Sequence, residues 1–182
     1  PVISETGNEM IYEEGEGYFR MFPFVPESHS IDVVQTPEQA FEAASQFGRF
    51  TRLLKGIDIG KLKITIPHFH DLSLRYQQFL LAIEKGNKQR IDESAALIKA
   101  ILSNADIVKE YDRIKTDTSF KLRVTHHDTK ISNVLFNIAD KGICVIDLDT
   151  VMPGYFISDV GDMMRTYLSP VSEEERGIDK IE

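Results

Sequence analysis

Apolar positions along the chain change their period twice, and the two changes divide the sequence into three stretches. Around residues 10–14 and 17–25, aromatic and β-branched residues flank Gly15 and Gly17, which predicts a β-hairpin. Its second strand runs into Phe22-Pro23-Phe24-Val25-Pro26 and then a polar stretch, the composition of a domain junction, with the boundary near Pro26. From Thr36 the period becomes helical. Thr36 is placed as N-cap, Pro37 at the first helical position and Gln39 three residues after the cap, a capping box. Ala40, Ala43, Ala44, Phe47, Phe50 and Leu54 then share one face, and Gly56 is placed to end the run. A second helix is expected after Asp71, where Leu72, Tyr76, Phe79, Leu80 and Ile83 form a stripe ahead of Gly86. Residues 91–102 and 105–114 continue the pattern. After Lys115 short strands are expected over 122–125, 134–136 and 143–146, with Asp140-Lys141-Gly142 as the turn between the last two. A helix follows over 158–168, and the acidic end beyond Pro170 is expected to be solvated or frayed.

This order of elements makes an α+β chain, and 182 residues suffice for one core, or for one domain and part of a second. A net charge of −8 excludes a broad surface for nucleic acid or anionic membrane, which needs clustered Lys and Arg. Any phosphate bound here has to be neutralised locally. No apolar stretch reaches the roughly 18 residues of a membrane span, and the first residues lack the plan of a signal peptide. The single cysteine, Cys144, lies in an apolar run and reads as a packed thiol, which suits a reducing cytoplasm.

Chemistry concentrates in VTHHDTKISNVLF and the ICVIDLDT that follows it. Asp128 and Asn133 fall in the loop between two short strands, and Asp147 comes directly after a third. An antiparallel hairpin of the second and third strands brings Asn133 near Asp147. An amide oxygen and a carboxylate are hard ligands of the kind magnesium takes. That leaves Asp128 to orient an acceptor hydroxyl and take its proton. Asp149, two residues past Asp147, either faces the metal or sugar or only solvates the loop. His68 and His70 have the spacing of zinc ligands, but no third ligand stands nearby and Asp71 reads as a helix cap. The mixed charges over 84–93 read as a solvated helix junction, and Asp162 with Arg165 as a helix-surface pair at least as readily as a substrate contact.

His126-His127-Asp128 with Asn133, Ile146-Asp147 and Asp159 resembles the aminoglycoside phosphotransferase and choline kinase superfamily, a relative of the protein kinases. THHDTKISNVLF, VIDLDTVMPG and SDVGDMMR are most similar to the N-acetylhexosamine 1-kinases. The resemblance implies a protein-kinase-like fold, mostly the helical C-terminal lobe. Residues 1–26 would then be the end of the N-terminal lobe and the hinge, and 27–182 a partial catalytic lobe. It further implies ATP and Mg2+ as cofactors, Asp128 as catalytic base, Asn133 and Asp147 as magnesium ligands, and His126 and Asp159 as supports of the loop. Lys130 matches a lysine aimed at the transferred phosphate, and backbone groups near Phe24 would meet adenine. The implied acceptor is a sugar; an amino alcohol, homoserine or aminoglycoside, or a binding module without catalysis, remain the alternatives.

The sequence departs from the pattern in two ways. His127 stands where the wider superfamily often has glycine, which makes it a candidate substrate contact. Neither the phosphate-covering loop nor the strand lysine of a complete kinase is found, so the chain is expected to be a fragment, inactive alone. Apolar surface exposed at the hairpin then makes self-association an expectation.

Overall fold

The computed structural model describes residues 1–173 and 175. A hairpin of β1 (Ile11–Glu13) and β2 (Gly17–Phe19) opens the chain, with Gly15 at φ 85° and Gly17 at φ 107° making the turn. Both strands are shorter than the apolar pattern suggests, because their pairing stops at Ile11 opposite Phe19; beyond it the Met21 carbonyl is taken instead by the Val2 N–H at 2.7 Å. The faces of this hairpin stay open, with Tyr18 70% exposed and Phe24 in the connector 82% exposed.

The connector then does something its composition hides. Ser28–His29 (β3) pairs antiparallel with β5 (Val134–Asn137), which pairs in turn with β6 (Gly142–Val145). His29 is fixed there by a 3.0 Å contact between its Nε2 and Asp140. The residues just after the proposed junction are thereby tied to the sheet that carries the loop chemistry.

α1 (Pro37–Leu53) starts at the Thr36 cap, whose hydroxyl accepts the Gln39 N–H at 3.3 Å. The reciprocal half of the capping box is altered. The Gln39 amide oxygen takes the Gln35 N–H, and its NH2 donates 3.0 Å to Asp140 in the β5–β6 turn. α1 is therefore stapled to the hairpin on which it packs, and a second staple joins Gln46 to the Gly142 carbonyl at 2.7 Å. Ala43 and Phe47 of α1 meet Ile131, Val134 and Phe136 to form the core. Val134 and Phe136 point inward because they alternate along β5.

α2 (Leu72–Lys85), capped by Asp71, packs against α5 (Asp106–Thr116), while α3 (Lys88–Glu93) and α4 (Ala95–Ser103) link them. The expected continuous helix over 91–102 breaks at Ser94, whose φ of −100° and ψ of 12° leave the helical region. β4 (Arg123–Thr125) pairs with β7 (Met152–Gly154), a strand that its Met-Pro-Gly sequence conceals. α6 (Phe156–Tyr167) packs across β4 and the turn before β5. Most of the acidic end beyond Pro170 lies outside the described residues. No helix among the described residues is long and apolar enough to cross a membrane.

Phe47 is 1% exposed and belongs to the core cluster. Phe47→Ala is expected to cost about 3–5 kcal/mol, read as a lower urea midpoint with an unchanged slope. Loss under about 1 kcal/mol would show that α1 does not depend on this contact.

Candidate active site

The loop from His126 to Asn133 joins β4 to β5 and is tied from three directions. From α6, the Asp159 carboxylate, 2% exposed, accepts the His126 N–H at 3.0 Å and the His127 N–H at 2.8 Å. One turn on, Asp162 accepts the Thr129 N–H at 2.6 Å, and the Thr129 hydroxyl donates 2.7 Å to the Asp159 carbonyl. Hydrogen bonds from ionised acceptors are the stronger kind, and Asp159 sits in the first turn of α6, where the helix dipole favours a carboxylate.

From the sheet, the His126 ring donates through Nε2 to the Ile146 carbonyl at 3.0 Å and accepts the Asp128 N–H on Nδ1 at 3.3 Å. Those two partners fix its tautomer. Phe47 and Phe50 close on the ring edge to face, at 5.1 and 5.6 Å between centroids. Thr150 donates 2.6 Å to the His126 carbonyl.

From the helical side, His70 donates through Nε2 to the His127 carbonyl at 2.9 Å and is itself held by the Tyr111 hydroxyl on its own carbonyl at 3.1 Å. Its ring stacks on that of His127 with centroids 5.2 Å apart and an interplanar angle of 17°.

His127 has φ 69°, the left-handed region that glycine occupies most easily. A side chain is accommodated because its ring lies in a fitted slot. Nε2 meets the Thr125 hydroxyl at 2.7 Å, and that hydroxyl donates onward to the Met152 carbonyl at 3.1 Å, so His127 is the donor. The slot exists only because residue 154 is glycine: a Cβ there would lie 2.3 Å from His127 Cε1. Burial pushes the His127 imidazolium below its ordinary pKa despite the Asp159 charge, so the ring is held neutral. Its Nδ1 is buried with no partner among the described residues.

At the open end of the loop stand Asp128, Lys130, Asn133 and Asp147. Asn133, 4% exposed, gives its NH2 to the Asp128 carbonyl and to Asp128 Oδ2, each at 2.9 Å. Both donors are thereby committed to Asp128, and the amide oxygen is left as an acceptor facing elsewhere. Lys130 Nζ lies 3.2 Å from the same Oδ2, and Asp128 Oδ1 has no hydrogen-bond partner among the described residues. Burial pulls the Lys130 ammonium down, but the hydrogen bond and charge of Asp128, with Glu173 and Asp147, outweigh it and hold it above the ordinary lysine value.

The hairpin register sets Val134 opposite Val145, and the Ile146 N–H donates to the Asn133 carbonyl at 2.9 Å. Asp147 follows at φ 58°, exposed and without a hydrogen-bond partner among the described residues. Asn133 and Asp147 thus offer hard oxygens of the kind magnesium accepts. No group of three or more His, Cys, Asp or Glu able to hold a metal occurs among the described residues.

Asp149 pairs with Arg20 of the connector, which links the loop after β6 to the hairpin. The backbone N–H and carbonyl of Phe24 make no hydrogen bond with the described residues. His68 meets Asp71 at 3.2 Å while His70 reaches the loop, so the two part company. Arg165 pairs with Asp162 at 2.7 Å.

Sequence reasoning missed Asp162, His70, Tyr111, Thr125 and Thr150 as supports of the loop. The three-residue spacing of Asp159 and Asp162 on one helix face could have revealed the second. Nothing in sequence spacing connects His70 with a carbonyl 57 residues away.

The braced loop, the hairpin and the overlying helices make a mixed α+β architecture of the protein-kinase-like kind. The family model described as the phosphotransferase enzyme family matches residues 5–178, and the chain belongs to that family. Membership implies transfer of a phosphoryl group to a small molecule, with ATP as donor and typically a divalent metal.

Asp159→Asn puts an NH2 against a backbone N–H and is expected to cost about 2–3 kcal/mol, measured by urea denaturation, together with turnover. Full stability would show that the two loop amides find other acceptors. Since the unfolded His127 takes up a proton near pH 6.5 and the folded ring resists it, stability falls as pH drops below about 6.5. His127→Asn, which tolerates a positive φ, is expected to flatten that part of the pH–stability profile. An unchanged profile would locate the titrating group elsewhere.

Proposed function

We propose that the chain carries the catalytic loop of an ATP- and Mg2+-dependent kinase whose acceptor is a sugar, the anomeric hydroxyl of an N-acetylhexosamine. The observation that carries this reading is the way Asn133 and Lys130 both engage Asp128 Oδ2 while Oδ1 stays free. A carboxylate held on one oxygen keeps the other for the proton of an acceptor hydroxyl. As the acceptor's hydroxyl oxygen bonds to the γ-phosphorus, the bond from phosphorus to the ADP oxygen breaks and the hydroxyl proton passes to Asp128.

Lys130, kept protonated by its surroundings, supplies positive charge beside the base. Asn133 and Asp147 are the residues that would hold magnesium, which when bound neutralises charge on the phosphate oxygens. His126 and Asp159 position the loop, and the unpaired backbone of Phe24 suits a base-edge contact in a hinge that ends near Pro26. Asp149, paired with Arg20, and His127, bonded to Thr125, stand in the same reading as candidate substrate contacts. The exposed Tyr18 and Phe24 make self-association part of the same reading, tested by sedimentation across concentration.

The acceptor rests on the likeness of THHDTKISNVLF and VIDLDTVMPG to the N-acetylhexosamine kinases. A coupled ADP-release assay with N-acetylhexosamines, plain hexoses and amino alcohols tests it, beside Asp128→Asn. Turnover on N-acetylhexosamines that falls by roughly 10²–10⁴-fold in the variant is the expected result. Preference for a cationic acceptor would reassign the substrate. Nucleotide binding with no turnover on any acceptor would indicate a binding module.

A further inference from the structure

The end of α1, the turn after it and the segment leading into β4 line a cavity of about 680 Å3 whose wall does not include Asp128. Four cations line it: Arg52, Lys55, Lys121 and Arg123. No carboxylate lines it, and none of the four has an ion-pair partner among the described residues. Lys61, Lys63, Lys85, Lys88 and Lys99 also lack an ion pair among the described residues, so what marks the site is the convergence of four cations on one cavity with no carboxylate in its wall.

Chain geometry aims the four together. Arg52 and Lys55 are three residues apart at the helix end, and Lys121 and Arg123 two apart in extended chain, so each pair shares a side. The negative end of the α1 dipole accounts for Arg52 and Lys55 but not for the other pair. Arg123 is steadied by the Phe156 ring, 5.2 Å from its guanidinium carbon. Asp58, the carboxylate closest in sequence, is turned to the Gly60 N–H at 3.0 Å instead. Leu54, Ile57, Ile59 and Leu122 complete an apolar wall.

We propose that this cavity binds a phosphate-bearing organic anion, distinct from the nucleotide at the catalytic loop. Its volume lies within the ~300–1,000 Å3 of ligand pockets, far more than one phosphate needs. Arginine and lysine together match phosphate in fork and point-charge contacts, and the apolar wall takes the organic body.

Calorimetry with magnesium-free pyrophosphate as probe tests the site, comparing the chain with Lys55→Glu/Lys121→Glu, both changes being at exposed positions. The expected result is pyrophosphate binding that falls with added salt, weakens by about tenfold or more in the double variant, and exceeds that of citrate. The same variant retains Mg–ATP binding. Lys121→Gln, which removes one charge without reversing it, is expected to weaken pyrophosphate less and serves if the double variant fails to fold. No binding by the unaltered chain would overturn the proposal, as would binding undiminished in both variants, which places the anion at the catalytic loop. Citrate or an oligoglutamate peptide binding as well as pyrophosphate would overturn the phosphate assignment.

Discussion

The Asp159 carboxylate holds the loop between β4 and β5 in place. Two successive backbone N–H groups, from His126 and His127, end on its two oxygens inside a protein interior where neither could stay unpaired without cost. Asp128, Lys130 and Asn133 follow within seven residues of His126 along the loop, so the anchor at its start sets where they begin, and the contacts from the sheet and from His70 hold the same segment. Asp162 extends the anchor to Thr129, so one face of α6 carries the loop as a template. A helix is a stiff support, which suits a constellation needing positions held to fractions of an ångström.

Three histidines near this loop have been given separate structural tasks by their hydrogen bonds. His126 joins the Asp128 N–H to the Ile146 carbonyl and so ties the base to the strand that precedes Asp147. His127 fills the slot over Gly154, and His70 caps the carbonyl of His127 from a different helix pair. The positive φ of His127 is a conformation that glycine adopts most easily. Here the ring's contacts with Thr125 and His70 offset the backbone strain, and the slot in turn requires a glycine at 154.

A net-negative protein that handles phosphate must concentrate its positive charge. Lys130 is held between Asp128 and the Asp147 charge, protonated yet partly buried, where a single cation counts for more than it does in water. The cavity lined by Arg52, Lys55, Lys121 and Arg123 is a second local concentration, built where the overall charge opposes it. Both are set by tertiary placement, since net charge constrains solubility and long-range steering and does not exclude a local site.

Helical period, the Thr36 and Asp71 caps, and the short apolar strand over residues 134–136 were legible because they are local: each depends on φ, ψ and side-chain spacing within a few residues. The approach of Asn133 to the strand end that precedes Asp147 was also legible, because a short hairpin turn fixes which residues oppose one another. What sequence did not reveal were β3, β7, the reach of His70 to the loop and the convergence of Arg52 and Lys55 with Lys121 and Arg123. Those features pair segments dozens of residues apart, and their partners are chosen by the packing of whole elements. Local sequence therefore determined which residues could do chemistry, and the tertiary structure decided which of them meet, because long-range contacts are selected by the burial and hydrogen bonding of the entire core.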